Sequence, residues 1–441
     1  MFTLGTFILP DVSNTDLRQP RGLTALFLTE MWERFSYYGM RAILVLYLVE
    51  GLHWTKGHAS ILYGVYTSSV WLTPIIGGYI ADRFLGAQKA LLIGGTIIAL
   101  GHFVIALETM PTFYLGLTLV ALGTGLFKPN VSACVGELYT PGDPRRDPGF
   151  TIFYMGINLG ALIGPLVTGY LRVQYGWRYG FGAAGVGMIL AILVLLATRK
   201  KLLGEAGLYP SAKRSQETSG QPAGPLSPEE WERVIALGVV SFFVIFFWAA
   251  YEQAGNTMNL FAAQSTRLSV GTFKLIPEWF QSVDPVFILL LGPLFAALWT
   301  ALARARKEPS TTRKMALGLI VMGLGFVFMV AAAAQVKSGS LASPWWLVLA
   351  FMFHAGGELC LSPVGLSLVT KVAPGKIVSL MMGVWFLSNW AGNFVAGLLG
   401  TLTEGMDPIR FWTIFLVFPV VAGFVLFFFA PRLQKLMHGR G

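Results

Sequence analysis

The sequence predicts an all-α integral membrane protein with twelve transmembrane helices, arranged as two halves of six. Of its 441 residues, 55% are hydrophobic and only 12% are charged, whereas soluble domains carry about 25% charged residues. Its mean hydropathy is +0.64. Twelve apolar stretches each approach the about 20 residues that a helix needs to cross a bilayer. The chain is therefore expected to be polytopic.

The predicted spans are joined by short connections rich in turn-forming residues, such as TPGDPRRDPG at 140–149 and TEGMDP at 403–408. One connection, 200–230, is long, polar and rich in Lys, Gly, Ser and Pro, which is typical of a flexible linker. The spans lie at 24–50, 59–80, 88–107, 112–139, 149–171, 178–199, 232–261, 280–303, 313–336, 344–372, 377–402 and 408–430. The predicted domains are an N-terminal cytoplasmic segment 1–23, a six-helix bundle 24–199, the cytoplasmic linker 200–230, a second bundle 231–430 and a cytoplasmic tail 431–441.

The basic residues predict an orientation. The net charge of +10 does not indicate a nucleic-acid partner, because the bases are scattered in short loops and build no basic face. With both termini in the cytoplasm, 22 of the 32 Lys and Arg lie on inner segments, 7 on outer segments and 3 inside spans. The positive-inside rule favours this topology. We expect a monomeric, multi-pass protein of the cell inner (plasma) membrane.

A trace of internal repetition supports two equivalent halves. The fourth predicted span ends in ELYTPG (137–142), and the tenth ends in TKVAPG (370–375). Equivalent helices of the two halves therefore stop at the same Pro-Gly signal. Repeats of this parallel kind place the substrate near the bilayer midplane, between the halves.

Seven ionisable residues are predicted to lie well inside the spans, where each charge costs about 2.5–3.5 kcal/mol and is a functional candidate. At about 100° per residue, the four charges of the first span and Tyr37 fall within an arc of about 100°, so they face one side of the helix. The first span contributes Glu30, Glu33, Arg34 and Arg41, and the fourth, seventh and tenth contribute Lys128, Glu252 and Glu358.

Depth predicts two ion pairs that would join the halves and act as gates. At about 1.5 Å per residue, Arg41 lies about 26 Å from the cytoplasmic start of the first span. Glu252 is also in an outer half, whereas Lys128 and Glu358 are near mid-span. The expected pairs are Arg41 with Glu252 and Lys128 with Glu358. Four acids and three bases leave a charge of −1, which one proton neutralises before a zwitterion binds. This count assumes that Asp284, at the outer start of the eighth span, is solvated.

Five motifs in order resemble the proton-dependent oligopeptide transporter family of the major facilitator superfamily, over nearly the whole chain. They are ExxERFxYYG at 30–39, GTGLFKPN at 123–130, FYMGINLGA at 153–161, FWAAYEQAG at 247–255 and GELCLSP at 357–363. GGYIADRFLG at 77–86 is similar to the cytoplasmic loop motif of the superfamily. The resemblance implies two six-helix bundles related by a pseudo-two-fold axis, and proton-coupled uptake of di- and tripeptides by alternating access.

The resemblance also implies residue roles. Glu358 would receive the amino terminus of the peptide, and Arg41 and Lys128 its carboxylate. The implied proton-coupling residues are Glu30, Glu33, Arg34, Lys128 and Glu252, and the remaining pocket residues are Tyr37, Tyr38, Trp71, Asn158, Asp284 and Trp385.

Two positions depart from the family pattern. Trp71 stands where the family usually has a pocket tyrosine, which replaces a hydroxyl by a larger indole that only donates. Asp284 stands where an asparagine is usual, which introduces an acid. The linker is too short for the extra helix pair of many bacterial members, and 337–343 has no room for the extracellular domain of animal members. We expect a compact prokaryotic member.

No cofactor or metal site is predicted, and protons are the expected coupling ion. Cys134 and Cys360 lie in apolar helical stretches and are interpreted as packing residues. His102 has no metal-ligand spacing, and His354 lies four residues before Glu358, within hydrogen-bonding reach. Transport of another small zwitterion or anion, such as nitrate, is the alternative. A transporter-like receptor or a membrane enzyme is more remote, because neither a signalling tail nor a nucleophile with a base is present in the sequence.

Overall fold

A computed structural model describes residues 18–140, 142–210 and 225–439. Four parts of the chain lie outside the described residues: 1–17, Pro141, 211–224 in the linker and 440–441. They include Lys213, Arg214 and Arg440, three of the 22 bases counted on inner segments. The helices are α1 Arg21–Leu46, α2 Lys56–Ile80, α3 Ala87–Ile105, α4 Met110–Glu137, α5 Arg146–Tyr175, α6 Trp177–Thr198, α7 Pro228–Tyr251, α8 Thr257–Ser265, α9 Val283–Arg304, α10 Thr311–Lys337, α11 Pro344–Val372, α12 Val378–Gly400 and α13 Pro408–Leu436.

Short elements extend or connect these helices. π-Helical turns at Tyr47–Gly51, Ala81–Leu85 and Arg199–Leu203 continue α1, α2 and α6, and 3₁₀ turns occur at Glu252–Ala254, Pro277–Ser282, Gly375–Ile377 and Thr401–Thr403. Strand β1 (Ser269–Val270) pairs antiparallel with β2 (Phe273–Lys274). Both strands lie between the seventh and eighth predicted spans.

Local capping defines where several helices begin. Ser227 and Glu230 form a reciprocal capping box at the start of α7, in which each side chain accepts a hydrogen bond from the backbone N–H of the other. The α2–α3 boundary depends on Gly86, whose φ of +78° favours a residue without a Cβ. The capping box therefore marks the start of α7, and Gly86 marks the turn between α2 and α3.

The twelve-span membrane fold is confirmed. Ten helical segments in the described part of the chain are long and apolar enough to cross a membrane. The other two predicted spans correspond to α1, which carries the four charges, and α12, which carries Asn389 and Asn393. Large apolar side chains lie on the outside of the bundle, with Phe428 75% exposed. In a membrane protein such side chains face lipid.

Each half has its own hydrophobic core. Buried residues of α1–α6 form one cluster and those of α7–α13 form the other. The short helix α8 belongs to the seventh predicted span, but its Leu260 packs in the core of the first half. We call the end that holds the α1–α2 connection the outer end, and the end that holds the α2–α3 connection the inner end, following the predicted orientation.

Two helix pairs join the halves symmetrically. Helix α2 packs on α12, and α5 packs on α9 and the Pro277–Ser282 turn. The first contact joins the second span to the eleventh, and the other joins the fifth span to the eighth. Exchanging the two halves turns span 2 into span 8 and span 11 into span 5, so the two contacts are equivalent. The α2–α12 crossing is very close: a Cβ built on Gly64 would lie 2.6 Å from the Cα of Gly397. Only residues without side chains allow this approach.

The sequence predicts the seventh span to be one continuous helix, but in the structure it is interrupted. The α-helix ends at Tyr251, and Glu252–Ala254 form a 3₁₀ turn before α8 begins at Thr257. A Cβ on Gly255 would lie 2.1 Å from the hydroxyl of Tyr63. Close contact with the first half therefore occurs where the helix is interrupted, and the break includes Glu252, one of the seven charges inside the predicted spans.

Candidate functional site

Helix α1 carries a buried acid–base cluster made of Glu30, Glu33 and Arg34. The Nη2 atom of Arg34 donates to Oε1 of Glu33 at 2.7 Å, and its Nε atom lies 3.2 Å from Oε1 of Glu30. Nε of Arg34 also donates to Oε2 of Glu33. The guanidinium carbon lies 5.2 Å from the ring centroid of Tyr37 and 6.0 Å from that of Tyr38. One base serves two carboxyl groups, so the cluster has a place for a proton.

The Arg41–Glu252 pair forms as depth predicts. Nη1 of Arg41 donates to both carboxylate oxygens of Glu252 at 3.2 Å, and the two side chains are only 7% and 5% exposed. The hydroxyl of Tyr63 donates to Oε2 of Glu252 at 3.0 Å. The ring of Tyr38 lies 4.9 Å from the Arg41 guanidinium. Since α1 and α2 belong to one half and Glu252 to the other, this group joins the halves.

A second ion pair closes the outer end. Arg172 of α5 binds Oε1 of Glu278 through Nη2 at 2.6 Å and through Nε at 2.7 Å. Glu278 is fully buried. Glu50 lies 3.7 Å away on the other side of Arg172. Arg172 is one of the seven bases counted on outer segments, and Glu278 is not among the residues selected from the sequence.

Polar contacts between α2 and the second half extend this closure. Ser60 donates to Asn256 at 3.0 Å, and the backbone N–H of Gly57 donates to Glu404 at 2.6 Å. Hydrogen bonds from Gly57 and Thr55 hold the pKa of Glu404 below its ordinary value. This contribution to closure is present above the ordinary glutamate pKa and is lost as the pH falls through the lowered value.

We expect Glu278→Gln to weaken closure of the outer end by about 1.5–3 kcal/mol, the usual contribution of hydrogen bonds to charged groups. The amide retains the size of the side chain but removes the charge that Arg172 binds. Spin labels at Gln174→Cys and Ser340→Cys, on exposed outer positions of the two halves, should report a larger fraction of long distances. Glu308→Gln, which removes an exposed acid paired with Lys314, is the control and should leave the distances unchanged.

Lys128 does not pair with Glu358, contrary to the expected central gate. Its ammonium lies over the ring of Trp71, 3.2 Å from the centroid. Trp71 in turn lies 5.9 Å from Trp248 and 6.3 Å from Phe386, both in the second half. An indole face attracts a cation, so the residue that departs from the family pattern holds the lysine in this conformation.

Glu358 and Asp284 bind tyrosine hydroxyls. The hydroxyl of Tyr154 donates to Oε1 of Glu358 at 3.3 Å, and that of Tyr251 donates to Oδ2 of Asp284 at 2.8 Å. Asn158 is buried and donates to the backbone oxygen of Tyr154 at 3.0 Å. Asp284 is only 8% exposed. The assumption that Asp284 is solvated is therefore wrong, and counting it changes the charge of the site from −1 to −2.

Five other residues considered in the sequence lie outside the contacts of Glu358 and Asp284. Trp385 is 5% exposed and packs on α11, where a Cβ on Gly365 would lie 2.2 Å from its ring. The ring nitrogens of His354 have no hydrogen-bond partner among the described residues, so the expected bond to Glu358 is not formed. His354 instead packs 4.9 Å from Phe326. The ring nitrogens of His102 are also buried and have no hydrogen-bond partner in the part of the chain that the structure describes. Cys134 and Cys360 are free and buried, as predicted.

The contacts that join the halves define the conformation. The cross-half hydrogen bonds and ion pairs described above lie at the level of Glu358 or closer to the outer end. Half-buried side chains, including Lys128, Trp71, Tyr154 and Glu358, surround the middle of the interface. The structure therefore presents a closed outer end above a charged central site.

Sequence and structure comparisons identify the family. The PTR2 model, which describes the POT family, matches residues 88–204 and 223–412. The chain belongs to the POT family. It is 41% identical to the uncharacterized transporter YclF of Bacillus subtilis (strain 168), with 95% of each chain covered. It is 33% identical to a di-/tripeptide transporter of Lactococcus lactis subsp. cremoris, with 97% of this chain and 99% of the relative covered.

The fold of this POT-family chain matches a solved relative. A crystal structure of a peptide transporter POT in complex with sulfate superposes with a TM-score of 0.89, at 36% identity and with 97% of each chain covered. This agreement confirms the family resemblance and the major facilitator arrangement of the helices.

Sequence reasoning about this POT-family chain missed the tyrosines of the site. Tyr63, Tyr154 and Tyr251 each donate a hydroxyl hydrogen to a buried carboxyl group. Tyr251 directly precedes Glu252 in the FWAAYEQAG motif, and Tyr154 lies in FYMGINLGA, so both were in stretches already selected. A rule that buried carboxyl groups need donors would have found them.

Proposed function

We propose that this protein is a proton-coupled symporter that imports di- and tripeptides by alternating access. It would lie in the cell inner membrane with both termini in the cytoplasm. The observation that carries the proposal is the placement of opposite charges on opposite halves, Lys128 on the first and Glu358 on the second. A peptide is a zwitterion whose two charges are separated by its backbone. The names of its relatives as peptide transporters support this substrate class.

Peptide would bind with its ammonium group at Glu358 and its carboxylate toward Lys128 and Arg41. Lys128 is free of a carboxylate partner within ion-pair distance among the described residues, since its ammonium lies over Trp71. A bound carboxylate would offer that ammonium a charged acceptor, which makes stronger hydrogen bonds than a neutral group. Peptide binding would therefore pull Lys128 from the first half toward a ligand held by the second half.

Proton coupling would act through the ion pair between Arg41 and Glu252, which joins the two halves. Protonation of Glu252 removes the charge that Arg41 binds, so the cross-half contact weakens and the outer end opens. A second proton would be held by Glu30 or Glu33, which share the permanently charged Arg34 near the inner side and lie on the same half as Lys128. With Asp284 buried, the site holds five acids and three bases, and the charge of −2 leaves room for two protons with a neutral zwitterion.

A liposome assay tests this function. Purified protein should concentrate labelled dialanine when the outside is acidic, and a protonophore should abolish the concentration. Unlabelled trialanine should compete, whereas nitrate and free alanine should not. Failure to take up dialanine under an inward proton gradient would contradict peptide transport. Competition by nitrate alone would favour transport of a small anion instead.

We expect Trp71→Ala to relax selection against large peptide side chains. The indole fills space beside Lys128 and contacts Trp248 and Phe386 across the interface. Uptake of alanyl-phenylalanine relative to dialanine should rise about tenfold or more, since apolar pocket contacts of this size are worth about 1–3 kcal/mol. Trp231→Ala, at a tryptophan that is 54% exposed, is the control. Equal changes for both peptides in Trp71→Ala would contradict the size selection.

A further inference from the structure

Asp284 and Glu358 form a carboxyl pair, and each carboxyl group binds a tyrosine. The hydroxyl of Tyr251 donates to Oδ2 of Asp284 at 2.8 Å, and its ring lies 6.3 Å from the ring of His354, one helical turn before Glu358 on α11. A phenol has a single proton to donate. The Tyr251 hydroxyl therefore serves Asp284, and Glu358 accepts its hydrogen bond from Tyr154 at 3.3 Å.

The pair lacks a positive partner. No ion pair to either carboxyl group occurs among the described residues, because Arg41 is engaged by Glu252 and Lys128 by Trp71. Oδ1 of Asp284 is buried without a hydrogen-bond partner in the described part of the chain, on a side chain that is 8% exposed. Such an oxygen is costly to leave ionised and unbonded.

Two neighbouring like charges, one of them on the buried Asp284, do not both ionise readily. A proton on the pair removes one negative charge and gives the second carboxyl group an O–H donor. The peptide ammonium supplies the same two things, since it carries one positive charge and three N–H donors. In either case the site holds a net charge of −1, so a proton and an ammonium group can replace each other without a change in charge.

We propose that Asp284 and Glu358 hold one proton in the empty transporter and exchange it for the ammonium group of the peptide. When the ammonium arrives, the carboxyl O–H bond breaks, the proton leaves to solvent, and the N–H groups donate to both carboxylates. This proposal rests on the proposed peptide transport. It adds a proton site that an asparagine at position 284 cannot provide.

The exchange sets a pH dependence of its own. Protons compete with the peptide ammonium group at Asp284 and Glu358, so acid weakens peptide binding at this pair. At Glu252 acid has the opposite effect, because protonation there opens the outer end to peptide. The groups that face the pair are Tyr251 on α7, Tyr154 on α5, Arg41 and Tyr38 on α1, Glu252 in the 3₁₀ turn and His354 on α11.

Titration calorimetry of dialanine binding to the purified full chain, in buffers of different ionisation enthalpy, counts the protons exchanged. We expect the wild type to release about one proton more per peptide than Asp284→Asn, because linkage relates this count to the groups that titrate on binding. Asp407→Asn is the matched control, since Asp407 is a surface acid paired with Lys337, and should keep the wild-type count. Equal counts for wild type and Asp284→Asn would overturn the proposal.

A measurement on the unmodified protein covers the case in which Asp284→Asn does not fold. Infrared difference spectra of the wild type should show loss of a protonated carboxyl band when dialanine is added. A spectrum without that loss would equally reject the exchange. Absence of any dialanine binding heat in the wild type would count against peptide transport itself, so the two failures are distinguishable.

Discussion

Glu252→Gln should abolish proton-driven accumulation of dialanine while sparing its exchange across the membrane. The glutamine is neutral at all pH values, as protonated Glu252 is, so the Arg41 pair no longer responds to the gradient. Breaking a buried pair by removing one partner costs about 3–5 kcal/mol, which exceeds the 1.4 kcal/mol of a tenfold change. The initial rate of proton-driven uptake should therefore fall by more than about tenfold.

Two assays in the same liposomes separate coupling from general loss of function. Accumulation under an acid outside should disappear, whereas counterflow of labelled dialanine against unlabelled dialanine should persist. Glu308→Gln removes an exposed acid at the inner end and should retain both activities. Retained accumulation in Glu252→Gln would move the proton site to Glu30 or Glu33, and loss of counterflow as well would assign Glu252 to binding or folding instead.

The charges inside the spans made the site predictable from sequence. Insertion cost singles out an ionisable residue in an apolar stretch, so each of the seven selected charges has a physical reason to lie at an interface or pair. Helical periodicity then placed Glu30, Arg34 and Arg41 on one face, and depth paired Arg41 with Glu252. These steps need only the spacing of residues along single helices.

The position of Lys128, the burial of Asp284 and the break of the seventh span depend on contacts between helices. The spacing of residues along one helix does not predict such contacts. Lys128 and Glu358 lie at similar depth, yet the lysine ammonium lies over the indole of Trp71 on α2 and not beside the carboxylate. Asp284 follows a connecting turn, and such positions are usually solvated, but Tyr251 of α7 covers it. The break of the seventh span likewise lies against Tyr63, a residue 192 positions before Gly255 in the sequence.

The crossing of α2 and α12 provides a test of alternating access that does not involve charge. Gly397→Ala would place a Cβ 2.7 Å from the Cα of Gly64 and 2.8 Å from the backbone oxygen of Ser60. Neither contact can be relieved by turning a side chain, so α2 and α12 must separate. Inserting a methyl group into a packed site costs about 1–3 kcal/mol, which corresponds to about a 5- to 150-fold change in a conformational equilibrium.

Each half keeps its own core, so this cost falls on outer closure rather than on folding. We expect Gly397→Ala to shift the spin-label distances at Gln174→Cys and Ser340→Cys toward the open outer state and to reduce dialanine uptake by about the same factor. Gly383→Ala on the same helix is the matched control, because no atom lies within 4 Å of a Cβ built there. Normal uptake with an unchanged distance distribution in Gly397→Ala would show that the outer end does not close through this crossing.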